Sequence, residues 1–348
     1  MKFLKIAAIV VFLLIAVGFF CVYQGWDQLN ERVIVDSTKL VQIPLGTSPA
    51  DSMQILVREG IIQHEIPARV YMKLTGAGSR IKAGDYYFPS PISVIGVLQK
   101  LEEGGQGADK TTVIEGWNRW DIAAAMSHIQ TLKLKNSEQA LRLMDDARLI
   151  EDLDPKAKNL EGYLYPDTYF VYSTNSAQDI IEQMVSQFHS VWENKLASAA
   201  KASGHSVHDI VTVASIIETE AKLNEERPIV ASVIYNRLQL KMPLSVDSTL
   251  VYASKLAGKW KGNGIVYQSD IDRESPYNLR KHSGLPPGPV GSPGLPSLEA
   301  AINPANTSFL YYVRNPSRND GAHNFYRTPA DFEVGVKALR DWEQKHRR

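Results

Sequence analysis

The sequence predicts an α+β protein: a membrane anchor followed by two domains. Three observations predict it. Helical and strand-like patterns mix without a βαβ rhythm. A glycine-rich stretch at Gly104–Lys110 separates a short first part from a longer second one, and a long uncharged apolar run opens the chain. Apolar residues make up 44% and charged residues 22%, an ordinary globular balance. Thirty-eight basic residues match 38 acidic ones, so the basic excess of a general nucleic-acid binder is missing. The one cysteine excludes an intramolecular disulfide and any Cys-rich metal site.

At the N-terminus, Lys2 and Lys5 precede the run from Ile6 to Trp26. About 20 apolar residues suffice for a membrane-crossing helix. The lysines would hold residues 1–5 inside the cell, with Tyr23 and Trp26 as an aromatic belt at the far interface. The run is longer than the apolar core of a signal peptide. The expectation is therefore an uncleaved single-pass anchor over 6–26 in the cytoplasmic (inner) membrane, with the remainder in the periplasm. Without Lys2 and Lys5 the exported part has 36 basic against 38 acidic residues, about −2. Binding an anionic wall polymer would then rest on local groups such as Arg273, Arg280 and Lys281.

Residues 27–40 read as a tether, 41–107 as the first domain and 108–348 as the second. Val41–Ser48 looks like a strand and turn leading into a helix, with Met53, Leu56 and Val57 at helical spacing. A second helix around Ile66–Thr75, a strand over Lys82–Phe88 and a third helix ending at Gly104 follow. Thr112–Trp117, ahead of a helix over Asp121–Gln130, weakly echoes Val41–Thr47. The second domain is helix-rich to about Leu240, then dense in Pro, Gly, Ser and Asn to Pro304. Gly284–Pro289 must be an extended or turn-rich loop. A strand over Phe309–Val313 and a helix over Pro329–Lys345 close the chain.

The helix expected over Val207–Lys222 is where chemistry concentrates. Ser206 and Asp209 have capping spacing, and Ile210, Val213, Ala214, Ile217 and Ala221 form an apolar stripe. Glu218 and Glu220 fall roughly 80° to either side of it. Partial burial of either would raise its pKa into the range of a general acid. A carboxylate so placed is otherwise a rim group paired with Arg or Lys, and periodicity does not choose between the two. Glu161 and Asp167 lie in a tyrosine-rich turn. Asn236, Asp247, Thr249, Tyr252 and Asn278 add hydrogen-bonding groups, although Asp247 could equally be a helix cap.

These stretches together resemble the YceG-like family. The matching pieces are Leu160–Tyr169, Ala214–Glu220, Glu226–Arg227, Asn236–Leu238, Met242, Asp247–Tyr252, Ser275–Asn278, Gly284–Pro289 and Pro293–Gly294. The resemblance implies an endolytic lytic transglycosylase that cuts the MurNAc-β-1,4-GlcNAc bond of peptidoglycan, limits strand length and works beside peptidoglycan synthases. It implies a LysM-like first domain, no cofactor or metal, and Glu218 as the catalytic acid. Glu161, Asp167, Asn236, Asp247, Thr249, Tyr252 and Asn278 become expected substrate-binding groups. One carboxyl can serve twice here: it protonates the leaving oxygen, then deprotonates the muramic acid 6-hydroxyl, which closes a 1,6-anhydro ring. The tethered nucleophile has a high effective concentration. Ser245, Ser248, Leu279, Arg280 and Phe332 depart from the family pattern. The rival of another class is a membrane-tethered, non-catalytic glycan-binding scaffold. A zinc peptidase lacks His-Glu-x-x-His, and an acyl enzyme lacks the companions of Ser-x-x-Lys.

Overall fold

The computed structural model describes residues 18–20, 23–105, 109–171 and 175–346. Most of the expected anchor (6–17, 21 and 22) and part of the expected linker (106–108) lie outside these. Among the described residues no helix is long and apolar enough to cross a membrane. The chain divides into two compact units. One runs to Asp109 and includes Phe170–Asn175; the other comprises Lys110–Tyr169 and everything from Ser176 onward. The return of 170–175 to the first unit has no signature in the sequence.

In the smaller unit, β1 (Arg32–Val33) pairs antiparallel with β4 (Ile92–Ser93), and β2 (Val41–Ile43) with β3 (Gly84–Tyr86). Two helices, Pro49–Arg58 and Glu65–Thr75, connect β2 to β3. Ser48 caps the first by accepting the Asp51 N–H, and its Met53 and Leu56 point inward with Val41, Ile43, Tyr86 and Phe88. A third helix, Val94–Glu103, closes this core with Val97, Leu98 and Leu101 and ends at Gly104.

The larger unit is mainly helical. Asn118 and Asp121 form a capping box for the helix Arg119–Ser127, two residues earlier than the apolar pattern suggested. The helix Ala177–Val191 buries Ile180, Ile181, Met184, Val185 and Phe188, and passes through a π turn into Ala197–Ser203. Gly204, at φ 74°, ends it in the left-handed conformation. The central helix, Val207–Glu220, starts at Ser206, whose hydroxyl accepts the Asp209 N–H. Every residue from Ile210 to Ile217 is buried. The expected stripe is thus only part of the covered surface, because the helices Arg227–Gln239, Asp247–Leu256 and Leu295–Ile302 all pack on it. β5 (Asp109–Thr112) and β6 (Thr168–Val171) pair, with the Thr112 and Thr168 hydroxyls 3.0 Å apart. Near the C-terminus β7 (Tyr311–Arg314) and β8 (His323–Tyr326) form an antiparallel hairpin. The helix Pro329–His346 covers one of its faces, with Phe332 stacked on Tyr311.

Candidate active site

Two residues along an α-helix is a rotation of about 200°, so Glu218 and Glu220 leave the last turn of the central helix on opposite sides. Glu218 meets the Gly/Pro-rich loop. Its Oε1 accepts from Arg227 Nη1 at 2.7 Å and its Oε2 from the Gly294 backbone N–H at 2.8 Å. Its side chain is 4% exposed and that of Arg227 is 7% exposed. Arg227 also donates to Ser297 and, at 3.0 Å, to Asn224. Glu218 is thus paired with an arginine and a backbone N–H within the fold.

The same side of the helix holds the loop twice more. Ser215 accepts the Val290 N–H at 3.0 Å, and His208 Nε2 donates to the Pro287 carbonyl at 3.1 Å. His208 Nδ1 faces Asp154 at 2.7 Å, and this carboxylate holds the imidazole above its ordinary pKa. Glu218 is the third point of this clamp.

Glu220 faces the hairpin. Tyr312 donates its hydroxyl to Glu220 Oε2 at 2.9 Å. The carboxyl borders a cavity of about 350 Å³ with Thr219, Lys222, Arg314, Asp320 and His323 on its walls. Burial pushes the Glu220 carboxyl above the ordinary carboxylate range, and the negative charge of Asp247 adds to this. The Tyr312 hydrogen bond and His323 oppose it. Glu226 fixes His323 from behind, accepting its backbone N–H and its Nδ1 proton, both at 2.8 Å. Neither Tyr312 nor His323 stood out in the sequence, since both come from short strands whose pairing brings them to Glu220.

The remaining expected residues divide by role. Asp247 is the first residue of its helix rather than the cap, which is Val246. It is exposed and accepts from Arg280 at 2.6 Å, and its charge reaches both Glu220 and Tyr312. Asn236 donates to the Thr307 and Phe309 carbonyls at 2.9 and 3.0 Å. It fixes the chain that enters β7. Thr249 bonds the Val246 carbonyl at 2.8 Å inside the fold. Asn278 is fully buried; its amide donates to Ile271 and Arg273 carbonyls at 2.8 and 2.9 Å. Neither is accessible to a substrate. Asp167 is exposed, accepting its neighbour's N–H at 2.7 Å and the Gln187 amide at 3.4 Å, and does not border the cavity.

Glu161 and Tyr252 belong to a separate buried cluster. Both Glu161 oxygens accept the Arg119 N–H, at 3.2 and 3.3 Å. Arg119 Nε lies 3.5 Å away, close enough for charge attraction without hydrogen-bond geometry. Burial pushes Glu161 up to about 7 against the pull of Arg119 and the Tyr252 hydroxyl. Tyr252 packs between Trp120 and Tyr277, with ring centroids 5.3 and 4.7 Å away. The loop cations expected to attract a glycan are neutralised: Arg273 by Asp270, Arg280 by Asp247 and Lys281 by Glu274. Among the described residues no group of three His, Cys, Asp or Glu side chains is placed to hold a metal.

Residues 41–338 match the YceG-like family. The chain is 37% identical over 318 residues to the endolytic murein transglycosylase of Bacillus subtilis, covering 86% of this chain and 85% of that protein. The endolytic murein transglycosylase of Streptococcus pneumoniae is 28% identical over 299 residues, covering 78% of this chain and 53% of that protein. A crystal structure of a yceG-like protein from Listeria monocytogenes aligns with a TM-score of 0.58 at 32% identity, over 85% of this chain and 98% of that one.

Proposed function

Because the chain belongs to the YceG-like family, we propose that it is an endolytic peptidoglycan lytic transglycosylase whose catalytic acid is Glu220. The activity rests on the names of its relatives. The choice of acid rests on one observation: Glu220 borders a cavity with its pKa raised by burial, whereas both Glu218 oxygens are occupied inside the fold. This departs from the residue that the family resemblance implied.

A protonated Glu220 donates to the glycosidic oxygen as the C1–O bond breaks, and the GlcNAc end leaves as an alcohol. The resulting carboxylate takes the proton of the muramic acid 6-hydroxyl, whose oxygen bonds to C1. Glu220 is reprotonated and a 1,6-anhydro ring remains, with no water consumed. Hydrolases that employ water need a second carboxyl or its equivalent; here the nucleophile is already part of the substrate. Tyr312 orients the acid from one side by donating to Oε2. Asp247 helps hold the proton on Glu220 and lies within electrostatic reach of positive charge developing on the sugar.

In the same reading the smaller unit binds glycan, and its β–α–α–β order from β2 to β3 supports the LysM-like likeness. The run Ile6–Trp26 would anchor the chain in the cytoplasmic membrane. The larger unit would then face the cell wall, where nascent strands and their synthases meet it.

The test is product analysis with purified peptidoglycan and the full-length chain in detergent. Anhydro-ended internal fragments are expected early. Reducing ends would make it a hydrolase, early terminal disaccharides alone would remove the endolytic assignment, and intact strands would favour a non-catalytic scaffold. Glu220→Gln should lower turnover by about 10²–10⁴, the usual contribution of a positioned general acid. Glu218→Gln should instead chiefly weaken the fold, since breaking a buried pair costs about 3–5 kcal/mol. A folded Glu218→Gln variant without activity, beside an active Glu220→Gln variant, would return the role to Glu218.

A further inference from the structure

The hairpin face that carries Tyr312 extends beyond the Glu220 cavity. Directly paired residues of an antiparallel ladder share a face. Tyr312 and Phe325 are such a pair, and so are Arg314 and His323. His323 and Phe325, two residues apart on β8, therefore follow one another along that face at about 7 Å. The rings form a continuous row: His323 to Tyr312 at 5.3 Å, Tyr312 to Phe325 at 6.1 Å, and Phe325 to Phe309 at 5.8 Å. One end of the row lies in the Glu220 cavity. The other opens into a second cavity of about 440 Å³, bordered by Phe309, Phe325, Tyr326, Arg327, Asp331 and Val334.

The second cavity carries one cation and one anion, Arg327 and Asp331, and no ion pair joins them among the described residues. Arg327 lies over the Phe309 ring at 5.6 Å and has no carboxylate partner among the described residues. The nearby Asp331 carboxylate accepts from the Thr328 hydroxyl at 2.7 Å, in the cap of the last helix. Arg273, Arg280 and Lys281, by contrast, are all paired. An exposed cation over an aromatic ring, at the edge of an apolar hollow, suits a ligand with one apolar face and one anionic group.

We propose that this second cavity is a distal subsite for the glycan strand. It takes a muramic acid unit away from the bond being cut. Phe309 and Phe325 meet the apolar face of the sugar, and Arg327 pairs with a carboxylate of its lactyl or stem-peptide group. The inference rests on the proposed peptidoglycan activity and deepens it, because holding a unit away from the cut favours strands that extend past the cleaved bond.

The test compares purified glycan strands bearing free carboxylates with the same strands after conversion of those carboxylates to neutral amides. Wild type should prefer the free acids. Arg327→Gln should lower that preference in kcat/KM about tenfold, the low end of what a hydrogen bond to a charged group contributes. Arg327→Lys, which keeps the charge, should retain most of it. An unchanged preference in Arg327→Gln overturns the subsite while leaving the proposed activity intact. Absence of anhydro products with wild type overturns the activity itself, and the subsite with it.

Discussion

Two glutamates at the end of one helix have different surroundings, and the roles proposed for them follow from that difference. Glu218 meets a guanidinium and a backbone N–H, so it bonds the loop to the helix. Glu220 meets a phenol, a cavity and the negative field of Asp247. Asp247 makes the Glu220 proton harder to lose. In Asp247→Asn that negative charge is gone and Arg280 is freed, and both changes favour the Glu220 carboxylate. A general acid works only while protonated, so the alkaline limb of the rate–pH profile should move to lower pH. An unmoved limb would show that Asp247 does not act on the titrating group. Sequence periodicity placed both glutamates beside the apolar stripe but carried no information about which partners would reach them from Arg227 or Tyr312.

At the scale of elements, the 284–294 loop is fixed along the side of the central helix that carries Glu218. His208, Ser215 and Glu218 hold it at Pro287, Val290 and Gly294. On its other side Gly116 donates to the Ser292 carbonyl at 2.8 Å, and Ser292 returns a bond to Trp117 at 2.7 Å. This approach leaves no room for a side chain at Gly291, where a Cβ would lie 2.6 Å from the Gly116 carbonyl oxygen. Gly291→Ala should therefore destabilise the protein by about 1–3 kcal/mol, the usual effect of overpacking, measured by denaturant unfolding. An unchanged midpoint would mean the loop is free to move off. The Pro/Gly density of 284–289 announced an extended loop. Its destination could not be read, because the partners are side chains some 75 residues away that reach the loop only in the folded state.

For the whole molecule, the most consequential buried charge is Glu161, with its pKa near 7 against 4.5 for the free side chain. Below about pH 4.5 folded and unfolded states both carry its proton. Between there and about 7 only the unfolded state releases it, so this group lowers folding stability by about 3 kcal/mol in total as pH rises, and then levels off. Thermal unfolding followed from about pH 5 to about pH 8 should show this descending component, and Glu161→Gln should lack it. A wild-type stability that rises through that window with the same slope as the variant would rule it out.

The sequence by itself determined the class and much of the order of the elements. Helical spacing, caps such as Ser48, Asn118 and Ser206, and the glycine stretch after Glu103 are local signals, written in residues close along the chain. Ordered motifs from Leu160 to Gly294 also identified the family. Only the tertiary structure decided which carboxyl faces a cavity, because Arg227, Gly294, Tyr312 and His323 come from separate elements. It also showed that Asn278, Thr249 and Glu161 are internal. Burial and charge pairing depend on distance in space, and a pattern within one helix cannot encode the neighbours that folding brings to it.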